Sequence, residues 1–335
     1  MNHLFLPDTD PVEASLRGFV RAHSGLVALH EDPLFVTARN RHPGRRVGLV
    51  SGGGSGHEPL HAGFTGTGML DAAVPGRIFA SPHNRQVYEA SRAVAGDQGV
   101  LHIVKNYTGD RINFGIAAER LRDEGIAVRR VLVDDDLATD SADTATGRRG
   151  TGATVIVEKL LGAAADAGLG LDELAALGGD VVRASRSIAV AGRAQTSPSH
   201  GGEAFDLAEG QIEYGVGIHG ERAAGTVTQP PFEELTERMA VQVLDALPHT
   251  GAGVVLLVGG LGATTLLELY ALHDHLRTVL DKRGVAVAGQ LVGTYAPALD
   301  MSGFSVTMTA ADPGWLAWWH APTRTPAFPS WEQPR

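Results

Sequence analysis

Residues 48–61 read GLVSGGGSGHEPLH, and the fold turns on what this stretch is. The apolar run at 46–50, bounded by glycine, reads as a buried strand. Glycines follow at 52, 53, 54 and 56. Such a turn brings backbone N–H groups close to the carboxyl end of a strand, where ligands of open α/β sheets bind. The letters HEPLH also fit the zinc-protease pattern H-E-x-x-H, which needs both histidines on one face of a continuous helix. Pro59 lies between them and is excluded from a helix interior. It suits a first helical turn instead, with His57 at or before the N-cap and His61 inside the helix. The two rings then do not face one ion, and no metal is expected. Nucleotide motifs fail as well. No lysine follows the glycines as a P-loop requires, and a dinucleotide fingerprint needs glycine where His57 stands. What is left is a close-approach loop carrying one imidazole. At a helix N-terminus the dipole disfavours imidazolium, so His57 is read as a neutral ring able to accept a proton.

Outward from this loop, strands are predicted at 72–80, 99–104 and 127–133, and helices at 83–95, 112–123, 153–167 and 171–184. The alternation predicts a mainly parallel sheet covered on both faces. KNYTGD (105–110) ends another strand of that sheet, so Lys105, Asp110 and His57 converge if both strand ends face one crevice. A buried Asp–His pair beside a cation suits withdrawal of a proton from a hydroxyl. Asp110 could equally cap the helix that starts near Ile112. The acidic run 134–136 reads as a strand-end loop. The segment from the strand at 187–191 to Glu203 is polar and Pro/Gly-rich and suggests a boundary near 185–195, giving domains 1–188 and 189–335. The second has strands at 187–191, 211–218, 253–258, 285–292 and 304–309, and helices at 230–247 and 264–282. YGVGIHGE (214–221) puts His219 after a Gly-flanked strand, where glycine lets a ligand come close. All tryptophans fall in the tail from 312 on and read as packing groups.

Composition narrows the function classes. The chain has 335 residues, 43% of them hydrophobic, enough for two cores. The formal net charge is -10 with no basic tract, so nucleic acid is not expected as a partner. The absence of cysteine excludes disulfides, thiolate metal sites and Cys nucleophiles. The N-terminus lacks a basic n-region and a long apolar run, so no signal peptide is expected. The most apolar stretch, 253–267, is broken by glycines and reads as strand, turn and helix start rather than a membrane span. A cytoplasmic location is the expectation. Lysine occurs only at 105, 159 and 282, as if kept where a slim ammonium is needed.

Taken in order, SGGGSGHEP (51–59), PGRIFASP (75–82), KNYTGD (105–110), GRRG (147–150), EKLLGAAA (158–165), YGVGIHGE (214–221), LGATTLLELY (261–270) and LDMSGFS (299–305) resemble the dihydroxyacetone kinase K-subunit family over nearly the whole chain. The resemblance implies the two-domain DhaK/DegV-like α/β fold: an N-terminal three-layer α/β/α domain with a mainly parallel sheet, and a C-terminal two-layer α/β domain. It implies that His219 adds through a ring nitrogen to the ketone carbonyl of dihydroxyacetone, giving a hemiaminal, in the family's manner. The substrate loop matches Gly54, Ser55, Gly56 and His57, and the hydroxyl-binding lysine and aspartate match Lys105 and Asp110. An adduct fixes a small, tumbling ketone in one pose, so that Asp110 and His57 can take the proton of its terminal hydroxyl. A competing chemistry is a Schiff base on Lys105. No cofactor is expected in this chain, which shows no phosphate loop and ends at Arg335. The resemblance assigns Mg-ADP or Mg-ATP to a separate DhaL-type L subunit, recharged by a phosphotransferase-system protein or exchanging ATP. A homodimer is expected. Many K subunits carry Asn-Asn before Leu-Gly where this chain has Gly259 and Gly260, and the wording after Glu221 also departs. Erythrulose or another short ketose is therefore an alternative substrate. A non-catalytic, ketone-sensing transcriptional coactivator is the alternative of another class.

Overall fold

The computed structural model describes residues 4–140, 147–222, 225–248 and 251–329. Two compact units emerge from its contacts. The first takes in Leu6–Val133, Thr154–Asp180 and the chain from Ala317 on; the second takes in Asp134–Ala153 and Val181–Leu316. The chain thus crosses between units several times, and a single cut after 188 does not describe it. Local composition does not mark these crossings, which fall at the end of a strand (133/134), at the start of a helix (153/154) and within helices (180/181 and 316/317).

The first unit opens with helix α1 (Pro11–Ala22), whose N-cap Asp10 accepts from the backbone of Val12 and Glu13 while Pro11 sits in the first turn. A hairpin follows, β1 (Val27–Glu31) and β2 (Leu34–Ala38), and then β3 (Gly48–Ser55), β4 (Ala72–Ile78), helix α2 (Asn84–Val94), β5 (Val100–Lys105), α3 (Thr108–Asp123), β6 (Val128–Val133), α4 (Ala153–Asp166) and α5 (Leu171–Arg183). The sheet order is β1-β2-β4-β3-β5-β6. It is parallel from β4 to β6, with the hairpin antiparallel at one edge. Val50, Val74, Val100 and Val104 meet Val87 of α2 and Phe114 and Leu121 of α3 on one face. On the other face Val27 and Val36 meet Val12 and Leu16 of α1, and Gly178 of α5 lies against Val131. This is the predicted three-layer arrangement, since strands buried on both faces read as continuous apolar runs. Arg45, 7% exposed, ties the loops beneath it, donating to Asp71 Oδ2 (3.0 Å), Asp166 Oδ1 (2.6 Å) and the carbonyls of Met69 and Gly162 (2.8 Å each). Trp319, 1% exposed, packs edge-on to Phe328, in keeping with a packing role; Trp331 lies outside the described residues.

The second unit holds β7 (Ser185–Arg193), β8 (Gln211–Tyr214), β9 (Thr226–Thr228), α6 (Phe232–Asp245), β10 (Val254–Gly260), α7 (Leu266–Lys282), β11 (Val287–Gly293) and β12 (Ser302–Ala310). Its sheet order is β11-β10-β12-β7-β8-β9, with only β10 and β11 parallel. Val254, Leu256, Val258, Val306 and Met308 pack against Met239 and Val243 of α6 and Leu269 and Leu276 of α7, a two-layer core. The acidic run has a structural task. Buried Asp135 accepts from Thr151 N (2.7 Å), Thr151 Oγ1 (2.8 Å) and Ala153 N (3.0 Å), and from the Ser187 hydroxyl. Among the described residues no helix is long and apolar enough to cross a membrane.

Candidate active site

The candidate residues fall into two sets, one in each unit. In the first unit β3 runs on to Ser55, so Gly54 and Ser55 are strand residues and the loop begins at Gly56, whose φ of 100° requires glycine. No α-helix starts at Pro59; the first regular turn is a short 3-10 segment at Ala62–Phe64. The helix-dipole argument for a neutral His57 therefore has no helix behind it. His57 is instead fully buried, tilted against the Phe79 ring at 5.2 Å between centroids. Ser55 Oγ donates to the Gly76 carbonyl at 2.8 Å, which joins the loop's root to the end of β4. Glu58 Oε2 accepts from Gly56 N at 2.9 Å, and burial pushes its carboxyl up.

Lys105, the last residue of β5, is fully buried, with its ammonium 6.0 Å from the centre of the Tyr107 ring. A Cβ on Gly53 would stand 2.8 Å from Lys105 Nζ and 3.4 Å from His61 Nε2. Glycine at 53 thus leaves room for a protein cation. Asp110 does not cap a helix at Ile112, because α3 already begins at Thr108 with Tyr107 as N-cap. It sits in the first turn, where the helix dipole favours a carboxylate. It is 2% exposed, and its Oδ1 has no hydrogen-bond partner among the described residues. Gly54, Ser55, Gly56, His57, Lys105 and Asp110 are accordingly all carried at the carboxyl ends of β3 and β5, neighbours in the sheet.

His61, the second histidine of HEPLH, is bound within the protein. Its Nδ1 lies 2.9 Å from Ser51 Oγ and 2.5 Å from Oε1 of fully buried Glu158 on α4. Glu158 was not singled out by sequence reasoning. Its signal was available: a lone acid amid the apolar run ATVIVEKLLGAAA.

In the second unit His219 follows β8 on a turn. Its Nδ1 is 2.8 Å from Glu221 Oε1, and its backbone N–H donates to Glu221 Oε2 at 3.0 Å. A carboxylate can only accept, so Nδ1 is the ring nitrogen that carries the proton in this contact. Burial would raise the Glu221 carboxyl, but His219 and then Arg149 outweigh it and bring it down to about 2. Gln195, 1% exposed, donates to the His219 carbonyl at 3.0 Å. The neighbouring Thr196 is held by Asp300 through both backbone and hydroxyl, at 2.7 Å each. The glycines around His219 serve protein contacts: a Cβ on Gly220 would meet Gln195 Nε2 at 2.1 Å, and one on Gly217 would meet Glu221 Oε2 at 2.1 Å. Gly259 pairs with Ser305 across β10 and β12, and a Cβ there would stand 2.7 Å from Ser305 Oγ.

Comparison with known proteins adds the family context. The Dak1 domain matches residues 17–327. The dihydroxyacetone-binding subunit DhaK of the PEP-dependent dihydroxyacetone kinase of Escherichia coli (strain K12) is 40% identical over 348 residues, covering 95% of this chain and 96% of its own. The crystal structure of the native dihydroxyacetone kinase of C. freundii superposes with a TM-score of 0.88 at 32% identity; it covers 100% of this chain, which spans 62% of that one. The dihydroxyacetone kinase operon co-activator DhaQ superposes with a TM-score of 0.86 at 33% identity, covering 94% of this chain and 97% of its own.

Proposed function

We propose that this chain, which belongs to the Dak1 domain family, is the ketone-binding catalytic subunit of a dihydroxyacetone kinase, a phosphotransferase acting on an alcohol group. Dihydroxyacetone is the substrate that the E. coli relative's name supports, with erythrulose or another short ketose the alternative. His219 holds the ketone. Its Nε2 lone pair forms a bond to the carbonyl carbon, and the carbonyl π pair moves to oxygen. The ring takes up positive charge, which the Glu221 carboxylate at Nδ1 offsets. Release of the Nδ1 proton and protonation of the oxygen leave a neutral hemiaminal containing the whole ketone. Lys105 binds a terminal hydroxyl, and Asp110 with His57 takes its proton as phosphate arrives, typically a roughly 10²–10⁴-fold contribution.

One observation supports Asp110 as the residue that meets the substrate hydroxyl. The buried Oδ1 of Asp110 has no hydrogen-bond partner among the described residues. Burying a carboxylate oxygen without a partner is costly, so a ligand hydroxyl supplies the donor. A sensor would use the same contact to bind, so phosphoryl transfer with an L subunit is what separates the two readings.

The phosphoryl donor is proposed to be Mg-ADP or Mg-ATP on a DhaL-type partner, since no phosphate-loop motif occurs in the sequence. Assembly as a homodimer is also proposed, and sedimentation velocity reads it. The functional test mixes the purified chain with dihydroxyacetone and Mg-ATP, with and without an L-type subunit and its donor system. Transfer is expected only with the L subunit. Robust turnover by the chain alone would overturn the divided mechanism. An adduct of full ketone mass without transfer by any L subunit would favour the coactivator. Borohydride trapping on Lys105, surviving His219→Ala, would move the covalent site.

A further inference from the structure

Arg149 belongs to the GRRG stretch at 147–150. It is 8% exposed and anchored on several sides. Its Nε donates to Asp136 Oδ2 at 2.7 Å, and its Nη2 lies 2.6 Å from the same oxygen. Nη2 also donates to the Gly215 carbonyl at 2.9 Å, and Nη1 to the Glu221 carbonyl at 3.3 Å. Nη1 stands 3.9 Å from Glu221 Oε2. Asp136 is itself fixed, because its Oδ1 accepts from Ala138 N at 2.9 Å. The planar fork is therefore a post set in the second unit. It reaches both the backbone that precedes His219 and the carboxylate that touches its ring.

Gly217 gives a second, independent observation. Its φ lies outside the left-handed region, so the backbone alone does not demand glycine. A Cβ there would lie 2.1 Å from Glu221 Oε2 and 2.5 Å from Arg149 Nη1, between the two charges. Glycine at 217 keeps this pair in contact. Glu221, whose side chain is 38% exposed, is thus gripped by the His219 N–H and ring on one side and by Arg149 on the other.

We propose that Arg149, held by Asp136, is a positioning residue for His219: it fixes the Glu221 carboxylate that takes the Nδ1 proton, and so leaves Nε2 as the atom that meets the ketone carbonyl. This rests on the reading of His219 as the ketone-binding residue. With Glu221 loose, the neutral ring divides between its two tautomers, and the form protonated at Nε2 cannot attack. The positive charge that the ring gains during addition also loses its counter-charge. Lysine cannot substitute fully, since a point charge cannot hold Asp136, Gly215 and Glu221 together.

The test uses the full chain labelled with ¹⁵N-histidine, the His219 signals being identified by their loss in His219→Ala. In the wild type the His219 nitrogens should report one tautomer, with a protonated Nδ1. Gly217→Ala leaves every ionisable group in place but inserts a methyl between Arg149 and Glu221. Arg149→Met removes the post, and Arg149→Lys should restore part of the loss. Gly217→Ala and Arg149→Met should both shift His219 to a mixture of tautomers. They should also raise the dihydroxyacetone concentration for half-maximal adduct, read by intact mass, by about tenfold or more, the size of a lost charge-assisted hydrogen bond. A variant that stays folded by circular dichroism yet keeps both the wild-type tautomer and the wild-type adduct curve refutes the proposal. If Arg149→Met fails to fold, Gly217→Ala carries the decision. If the wild type forms no adduct at all, the ketone-binding reading fails, while the tautomer shift still decides the role of Arg149.

Discussion

Acid should destabilise the first unit through one histidine that takes no part in the chemistry. His102 lies on β5, three residues before Lys105, and is fully buried. Its Nε2 lies 2.8 Å from Ser91 Oγ, and its ring meets the edge of Phe114 at 5.3 Å. Burial, aided by Arg122 and Arg130, lowers its pKa from 6.5 to about 3. The unfolded chain therefore binds a proton below pH 6.5 that the native chain refuses until near pH 3. Stability falls as pH drops through that window. The linkage integral gives a loss of about 2 kcal/mol by pH 5 and about 4 kcal/mol by pH 3 from this group alone. His102→Leu removes the titration without orphaning Ser91, whose hydroxyl still donates to the Val87 carbonyl at 2.7 Å. Urea unfolding of both proteins at pH 7 and pH 5 isolates the effect, since the other titrating groups cancel in the difference. The variant should lose about 2 kcal/mol less than the wild type between the two pH values. Equal losses would show that His102 is not the neutral buried group the geometry describes.

Asp110→Asn should keep the ketone adduct while turnover with a cognate L subunit falls roughly 10²–10⁴-fold, because the amide preserves shape but cannot take the proton; a near-wild-type rate would pass the role of base to His57. Gly53→Ala should weaken ketone binding with the fold kept, since the new methyl lies 2.8 Å from Lys105 Nζ and must push the ammonium aside; unchanged adduct yield and KM would count against Lys105 as a hydroxyl ligand. Arg45→Met should cost about 3 kcal/mol, because it strips the buried Asp71 carboxylate of its 3.0 Å partner, leaving the looser Arg41 contact at 3.7 Å, and removes the 2.6 Å partner of Asp166; a urea midpoint within error of the wild type would contradict that assignment.

Much of the first unit was legible because its strands are buried on both faces. The run 99–104 reads as strand without ambiguity, and β5 is found at Val100–Lys105. The hairpin β1–β2 and helix α1 were not predicted. Each strand has only five residues, and DPVEASLRG looks as much like a polar terminus as a capped helix. The helix expected at Pro59 failed for a related reason. Proline fixes a compatible φ, but HEPLH is too short to nucleate a helix, and His61 is recruited sideways by Ser51 and Glu158. The partners of His61 and His219 differ in legibility. Glu221 is two residues from its histidine and visible in GIHGE, whereas Glu158 is separated by 97 residues and reaches His61 only through the fold.

Gly53 and Gly217 have a common physical cause, one in each unit. In a ligand-cradling loop, glycine lets a substrate approach the backbone. Here Gly53 lies beneath the Lys105 ammonium, and Gly217 beneath the Glu221–Arg149 pair. A buried charge is tolerated only where its counter-charges and donors stand at contact distance, and a Cβ would hold them apart. Each glycine thus lets a protein charge come down onto the chain close to a residue assigned to the ketone. A methyl at either position is a mild change in volume but a large one in electrostatics. Gly53→Ala and Gly217→Ala should therefore disturb binding far more than folding, an order opposite to that of apolar core truncations, which act first on stability. If both alanine variants instead lower the urea midpoint and leave adduct formation intact, the glycines are packing residues, and the placement of charge around the ketone must be sought in other contacts.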